Sequence, residues 1–423
     1  MSLRRRSLEF LRRRLRGEAL PVRLAFWDGE TFDFTPAPSI TITLFSKRLV
    51  RLFLTGNMAA LGEAYVRGEI GVEGRLQDII RLGIGIAERL GRSRTLRRLG
   101  TLAAYRPRFR HTRKRDARAI SYHYDVSNDF YALWLDRRMI YSCAYFHTGA
   151  EDIDTAQEQK LDHIRRKLRF AEGDRLLDIG CGWGGLLIWA AQNHGVRGVG
   201  VTLSRAQAEL AQARVAEAGL RGQVEIRLQD YRDIEGAALF DKIVSVGMVE
   251  HVGTANLTAY FGAIARLLKP GGLLLNHGIT VADRNGRSQG PPGGEFIDNL
   301  VFPGGELAHV SRLLFEVAGA GLEMLDVEDL RPHYPRTLLH WVRRLQASEA
   351  QAIAAAGAER YRIWRMYMAG MAYAFDAGWL GLAQVLAAKP NQDGPALRPW
   401  TRRYQYDPET AVPLVGPLDW GDL

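Results

Sequence analysis

The sequence Asp-Arg-Leu-Leu-Asp-Ile-Gly-Cys-Gly-Trp-Gly-Gly, residues 174–185, joins an apolar strand to a glycine-rich turn. The strand is predicted over 175–179, and a short apolar helix follows the turn. Gly180, Gly182 and Gly184 carry no Cβ, so the backbone of the turn can pass close to a ligand. Open α/β sheets bind ligands at the carboxyl ends of their strands. The stretch therefore predicts a site for a nucleotide-like cofactor.

The segments that follow narrow the choice of cofactor. Further apolar strands are predicted over 196–201, 224–228, 242–246 and 273–275. The first of them ends in Thr202 and Leu203, without the Asp or Glu that a NAD-binding domain places there for the ribose. The order resembles an S-adenosylmethionine-dependent methyltransferase, an α/β protein with a Rossmann-like, seven-stranded class I domain. This resemblance places Asp178 near the amino-acid part of the cofactor and Asp230 near the adenine.

The composition is that of a globular protein with room for two domains. The chain has 423 residues, of which 47% are hydrophobic and 25% are charged. No apolar run reaches the roughly 18–20 residues of a membrane span, and the basic N-terminus lacks an apolar signal segment. Cys143 and Cys181 form no C-x-x-C motif. We therefore expect neither a disulfide framework nor a metal site, and a reducing, cytoplasmic location.

Positive charge is concentrated in the first 120 residues. They hold 26 Lys+Arg and 11 Asp+Glu, a net charge of +15, whereas the remainder has a net charge of −5. Arginines and regularly spaced leucines over 1–16 predict a basic amphipathic helix. Residues 89–118 carry twelve Lys+Arg against one acid. The asymmetry favours contact with an anionic lipid surface; the alternative is a solvated helix packed on its own domain.

Three parts of the chain are predicted. Residues 1–118 form a basic, membrane-associating domain and linker, with a small α+β unit over 20–85. Residues 119–390 form the methyltransferase domain, and 391–423 form an irregular tail. Within the α+β unit, strands are predicted over 22–27 and 40–45, with a turn at Asp28-Gly29 and a helical stretch over 47–58. This unit carries no catalytic cluster.

Motifs on both sides of the glycine turn resemble one family. They lie at 122–131, 141–146, 177–185, 200–207, 229–232, 246–253 and 296–304. Together they resemble cyclopropane-fatty-acyl-phospholipid synthases and the related mycolic acid cyclopropane synthases and fatty-acid C-methyltransferases. The unit over 20–85 also resembles the N-terminal domain of the bacterial phospholipid-acting enzymes. This favours a phospholipid substrate.

The resemblance implies a mechanism and a set of site residues. An acyl-chain double bond takes the methyl group of S-adenosylmethionine, a carbocation forms, and a bound bicarbonate ion removes a proton before the ring closes. The residues that map onto the catalytic site are Cys143, Glu250, His277, Ile279 and Tyr334, with Cys143 and Ile279 contributing backbone N–H groups. The residues that map onto the cofactor site are Tyr141, Ser142, Asp178, Gly180, Gly182, Gly184, Thr202, Leu203, Gln207, Asp230 and Tyr231.

These residue types suit the implied chemistry. A bicarbonate needs N–H, imidazole and hydroxyl donors, and a nearby carboxylate favours a carbocation. The site must exclude water, which would quench the cation. The chemistry requires no thiolate, so we expect the Cys143 side chain to be replaceable. Cys181 is interpreted as a small loop residue.

Other interpretations stay open. Loss of a different proton would give a methyl-branched or methylene-bearing chain. A nucleic-acid methyltransferase is disfavoured because Gly247-Met248-Val249-Glu250 stands where amino methyltransferases have an Asn/Asp-Pro-Pro-Tyr loop. A non-catalytic lipid-binding protein is disfavoured by the complete residue set. An aromatic and methionine-rich stretch over 364–379 is predicted either to pack in the core or to line an acyl tunnel.

The partners follow from the same interpretation. We expect an enzyme on the inner face of the membrane, with an anionic phospholipid bilayer and an unsaturated acyl chain as partners. Nucleic acid is not expected, and a homodimer is left open.

Overall fold

The computed structural model describes residues 3–14, 21–55, 58–91, 127–283, 301, 305–394, 396–407 and 414–415. Three predicted features lie wholly or partly outside these ranges: the start of the motif at 122–131, most of the basic segment 89–118, and most of the motif at 296–304.

The chain divides into two compact units. The first comprises Met1–Phe109, Gln289–Pro303 and Ala352–Ala374, and the second comprises Arg110–Ser288, Gly304–Gln351 and Phe375–Leu423. Residues 352–374 thus group with the N-terminal residues, although they fall within the range predicted for the methyltransferase domain. The predicted boundaries at 118 and 390 stay a prediction.

The first unit is built on a four-stranded sheet in the order β2-β1-β3-β4. Its strands are β1 (Val22–Phe26), β2 (Thr31–Asp33), β3 (Ile40–Leu44) and β4 (Ile70–Glu73). Its helices include α1 (Leu3–Arg14), α2 (Lys47–Thr55), α3 (Met58–Val66) and α4 (Leu76–Gly91). Val22, Leu24 and Phe26 are buried at alternate positions of β1, as expected for a strand with one face on a core. The predicted N-terminal α+β fold is confirmed.

The second unit contains a seven-stranded sheet in the order β10-β11-β9-β8-β5-β6-β7. Its strands are β5 (Arg175–Ile179), β6 (Arg197–Thr202), β7 (Val224–Leu228), β8 (Phe240–Val246), β9 (Leu268–Val281), β10 (Glu323–Asp329) and β11 (Leu380–Ala388). The strands from β5 to β9 pair in parallel, whereas β11 runs antiparallel to both of its neighbours. The predicted Rossmann-like sheet is confirmed.

Helices accompany this sheet along the chain. They are α5 (Asn128–Ala132), α6 (Ile153–Leu168), α7 (Gly185–His194), α8 (Arg205–Glu217), α9 (Leu257–Leu267), α10 (Val310–Gly319) and α11 (His333–Ala347). Leu176 packs in one apolar cluster and Leu177 packs in another. Because successive strand residues point to opposite faces, both faces of the sheet are covered by apolar side chains.

The aromatic and methionine-rich stretch lies on α12 (Glu349–Asp376), whose backbone is non-helical at Gly357. Trp364, Met368 and Phe375 are fully buried. Both a core position and a tunnel wall require burial, so the choice between them stays a prediction. Among the helices of the described ranges, none combines the length and the apolar character that crossing a bilayer requires.

The C-terminal tail was expected to be irregular, and its described part is partly ordered. It contains a short antiparallel pair, β12 (Arg398–Pro399) and β13 (Leu414–Val415), and a short helix, α13 (Arg403–Tyr406). Tyr404 is buried, and the Tyr406 hydroxyl donates to Glu328 at 3.2 Å. These contacts give the segment a fixed conformation that its Pro and Asp content does not predict.

Candidate active site

A pocket opens where β5, β6 and β8 end. It encloses about 940 Å³ between protein atoms, part of it open to solvent. The residues that line it at these strand ends are Asp178, Ile179, Val201, Thr202, Leu203, Val246, Gly247 and Met248. The carboxyl edge of a parallel sheet is the expected place for a cofactor.

Nine of the eleven predicted cofactor residues line this pocket; they are Tyr141, Ser142, Asp178, Gly180, Gly182, Thr202, Leu203, Gln207 and Tyr231. Gly184 lies outside the lining and forms the N-cap of α7. Asp230 also lies outside it, because its carboxylate pairs with the Arg232 guanidinium at 2.6 Å. Its neighbours Gln229 and Tyr231 line the pocket instead.

The glycine turn leaves room for a ligand, as its sequence predicts. Gly180 and Gly182 have φ angles of 83° and 54°, in the left-handed region that disfavours other residues. A Cβ on Gly180 would lie 3.2 Å from Cγ of Met248, whereas a Cβ on Gly182 would meet nothing within 4 Å. The backbone therefore borders open space at Gly182.

Charged groups lie at the buried end of the pocket. Asp178 is only 4% exposed, and burial raises its pKa to about 7. Lys160, on α6, also lines the pocket, and its Nζ donates to Ser142 Oγ at 2.8 Å. The sequence analysis missed Lys160. A signal was present, because Gln157, Lys160 and Lys167 occupy buried positions on a helix that otherwise buries apolar residues.

Glu250 lies in a single 3₁₀ turn, Val249–His251, directly after β8. Its Oε1 accepts the Ile279 N–H at 2.7 Å, while its buried Oε2 has no hydrogen-bond partner among the described residues. Burial raises the pKa of Glu250 to about 7. The N–H that the resemblance assigns to a bicarbonate is thus held here by the Glu250 carboxylate.

His277 lies on β9, two residues before Ile279 and therefore on the same face of the strand. It pairs across the sheet with Gln384 of β11, and Gln384 Nε2 lies 3.1 Å from Nδ1 of His277. Burial and the nearby lysines lower the pKa of His277 far below its usual value, so the ring is neutral. With Gln384 donating to Nδ1, the proton lies on Nε2, which is buried and has no partner in the described part of the chain.

Cys143 and Tyr334 complete the predicted catalytic set. The Cys143 thiol donates to the Ala144 carbonyl at 3.2 Å, and burial raises its pKa, so it remains a thiol. Tyr334 lies in the first turn of α11 with its ring centre 4.5 Å from that of Phe375. Thr337, one turn further on, accepts the Ala144 N–H at 3.0 Å and ties α11 to the Cys143 loop.

A buried polar network supports this loop from below. Glu328 Oε2 lies 2.6 Å from His163 Nε2 and 2.5 Å from Lys167 Nζ. The Tyr145 ring stacks on His163 at 4.3 Å and on His333 at 4.6 Å. Burial opposes ionisation of Glu328, yet the His163 hydrogen bond and the Lys167 charge lower its pKa to about 2.

Known families match most of the chain. A family model described as "Mycolic acid cyclopropane synthetase" matches residues 111–385. The chain belongs to this family. A second model, described as a domain of unknown function, matches residues 12–90.

Individual members of the mycolic acid cyclopropane synthetase family and their relatives differ in reaction. A "Probable fatty acid methyltransferase" of Pseudomonas putida is 46% identical over 92% of this chain and 96% of its own length. The cyclopropane-fatty-acyl-phospholipid synthase of Escherichia coli K12 is 40% identical over 64% of this chain and 68% of its own. The crystal structure of mycolic acid cyclopropane synthase CmaA1 complexed with SAH and CTAB is 34% identical, covers 64% of this chain and 98% of its own, and has a TM-score of 0.61.

Membership of the mycolic acid cyclopropane synthetase family establishes the reaction class. The protein is an S-adenosylmethionine-dependent methyltransferase that modifies lipid. The pocket fits that cofactor on its own evidence. Two left-handed glycines border open space, and Asp178, which suits an ammonium group, lies buried beneath them.

Proposed function

We propose that the protein is a cyclopropane-fatty-acyl-phospholipid synthase, which adds a methylene group from S-adenosylmethionine to the double bond of an unsaturated phospholipid acyl chain. One observation carries the proposal. Glu250 Oε2 and His277 Nε2 are buried polar atoms without a partner among the described residues, and they belong to adjacent strand ends beside the pocket. Buried polar atoms without a partner are costly and mark places where a ligand fits.

The two residues have complementary tasks in this proposal. S-adenosylmethionine supplies the methyl group, and the chain carbon that does not receive it acquires positive charge. The ionised Glu250 carboxylate favours that charge at close range. His277 donates through Nε2 and cannot add a competing positive charge, because its ring is neutral. Ring closure then requires loss of one proton from the transferred methyl group.

A bicarbonate ion suits the site that receives this proton. Its oxygens would accept from the His277 Nε2–H, the Tyr334 hydroxyl and the backbone at Cys143, and its O–H would donate to Glu250 Oε2. The bound ion would supply the base. The structure leaves the Ile279 N–H with Glu250, so we assign Ile279 an indirect role: it orients the carboxylate.

A methyl-branched or methylene-bearing product is the second candidate. It is favoured by the Pseudomonas putida relative, which covers 92% of this chain, including its N-terminal part, and is described as a probable fatty acid methyltransferase. The first step is the same in both candidates. They differ only in which proton leaves, so the residues around the base decide the outcome.

The substrate's location requires contact with a bilayer surface, and we propose that α1 provides it. Arg5, Arg6, Arg12 and Arg13 are exposed, and Phe10 beside them is 62% exposed. Attraction to anionic lipid is worth about 1 kcal/mol for each basic residue near the surface. Arg4 is not available, because it pairs with Asp28 at 2.8 Å and covers the Phe26 ring.

The docking proposal is tested by vesicle co-sedimentation across a salt series. Arg6→Glu/Arg13→Glu should weaken binding to anionic vesicles by at least about 100-fold, and salt should weaken wild-type binding. Arg221→Glu, an exposed arginine of the other unit, is the matched control. Equal binding of wild type to neutral and anionic vesicles would contradict the proposal.

The enzymatic proposal is tested with purified full-length protein, S-adenosylmethionine and vesicles of a monounsaturated phospholipid. Lipid mass spectrometry should show acyl chains heavier by one CH2, with one S-adenosylhomocysteine formed for each. The Glu250→Gln variant should show far less of both. Binding of S-adenosylhomocysteine without any change in the lipid would contradict the assigned substrate.

A further inference from the structure

Lys160 is the one charged pocket residue that the proposed mechanism does not use. It is 1% exposed and lines the pocket beside Ser142 and Asp178. Its Nζ donates to Ser142 Oγ at 2.8 Å. In the described part of the chain, no carboxylate lies within 4.0 Å of this ammonium, although an ammonium has three donors.

A buried ammonium without a counter-ion is costly. Burial lowers the pKa of Lys160 to about 8, and the charges of Asp136 and Asp178 oppose that change. Lys160 is therefore mainly charged at neutral pH. Asp136 is already committed, because its carboxylate accepts the Arg138 and Ile140 N–H groups at 2.9 and 2.8 Å.

The position of Lys160 connects two parts of the site. On one side it lies near Asp178, beneath the glycine turn. On the other side its charge acts on Cys143 and on His277. An oxyanion beside Nζ would therefore touch the boundary between the cofactor pocket and the catalytic residues.

We infer that Lys160 binds a carboxylate or carbonate-type oxyanion at this boundary. The inference rests on the proposed function and has two sources for the anion. One is the amino-acid carboxylate of the cofactor, whose ammonium group suits Asp178. The other is a bicarbonate ion in the catalytic site. In either case the ligand supplies the negative charge that the fold withholds from Lys160.

The variants are chosen to separate binding from folding. Lys160→Met removes the ammonium and keeps the length of the side chain, and Lys160→Arg retains a positive charge. Lys167→Met is the matched control, because Lys167 is equally buried on α6 but pairs with Glu328 and lies outside the pocket lining. Thermal melting of all three variants reports on folding.

Calorimetric titration uses two probes, S-adenosylhomocysteine and 5′-methylthioadenosine, which lacks the amino-acid part. If the cofactor carboxylate is the anion, Lys160→Met should weaken S-adenosylhomocysteine binding by about 10-fold to 100-fold. Binding of 5′-methylthioadenosine should be unchanged, Lys160→Arg should recover part of the loss, and Lys167→Met should bind both probes normally.

If bicarbonate is the anion, the affinity for S-adenosylhomocysteine should not change. Bicarbonate should then raise the melting temperature of the wild-type complex with S-adenosylhomocysteine but not that of the Lys160→Met complex, with chloride as the salt control. The inference is overturned if Lys160→Met matches wild type in both experiments, or if it weakens both nucleoside probes equally. Failure of wild type to bind S-adenosylhomocysteine would instead overturn the proposed function.

Discussion

Replacing Glu250 by Gln should make the protein more stable at alkaline pH and much less active. The carboxyl group is 8% exposed, and burial raises its pKa from 4.5 to about 7. A folded-state pKa above the unfolded value means that the folded protein holds the proton more tightly. The resulting stabilisation is complete below about pH 4.5 and is lost as the pH rises through about 7.

The size of this effect follows from the two pKa values. At 1.36 kcal/mol for each pKa unit, the change from 4.5 to about 7 corresponds to roughly 3 kcal/mol. About 2 kcal/mol of it falls between about pH 5 and about pH 8. Gln cannot ionise, so the free energy of unfolding of Glu250→Gln should not contain this pH-dependent loss. Turnover at neutral pH should fall by roughly 10²-fold, because the negative charge near the cation is removed.

Denaturant unfolding at the two pH values measures the effect, as the difference between variant and wild type. Glu209→Gln, which removes an exposed carboxylate on α8, controls for the loss of one surface charge. The reasoning is refuted if Glu250→Gln and wild type lose the same stability between the two pH values. Unchanged turnover in the variant would separately refute the catalytic role.

Three further substitutions test individual parts of the site. Gly182→Val should weaken S-adenosylhomocysteine binding at least about 10-fold, since a β-branched residue is strained at a φ of 54°; Gly173→Val, at a left-handed glycine outside the pocket lining, should leave binding intact in the same titration. Cys143→Ser should keep turnover within about 10-fold of wild type because the buried thiol stays protonated, and an inactive but folded variant would contradict this. Glu328→Gln should lower the free energy of unfolding by about 3 kcal/mol, against less than about 1 kcal/mol for the more exposed Glu323→Gln; equal losses would show that the buried network contributes no special stability.

The sheet and the cofactor turn follow from local sequence. The strand before the turn is predicted over its observed range, because five consecutive residues are followed by glycines that only a turn accommodates. The helix after it is observed as Gly185–His194 and is longer than the predicted 186–191. Strand ends shift by a residue or a few, most of all at β9, which extends well beyond 273–275 to Leu268–Val281. Its pairing with β11 supplies hydrogen bonds that the short apolar run does not reveal.

The catalytic details depend on partners that are distant in sequence. Motifs identify Glu250, but not that its carboxylate holds the Ile279 N–H. Asp230 has the residue type expected for a ligand contact, yet Arg232 two residues later captures its carboxylate. Lys160 lies outside every motif used, and only the packing of α6 brings it to the pocket.

The product of the reaction decides the central claim. Wild-type enzyme, S-adenosylmethionine and a monounsaturated phospholipid should be incubated, and the extracted lipid examined by proton NMR, because a ring and a methylene-bearing chain have the same mass. The account predicts the strongly upfield signals of cyclopropyl methylene protons together with loss of the olefinic protons. Vinylidene protons, or a new methyl signal without ring protons, would contradict ring closure at the Glu250 and His277 site.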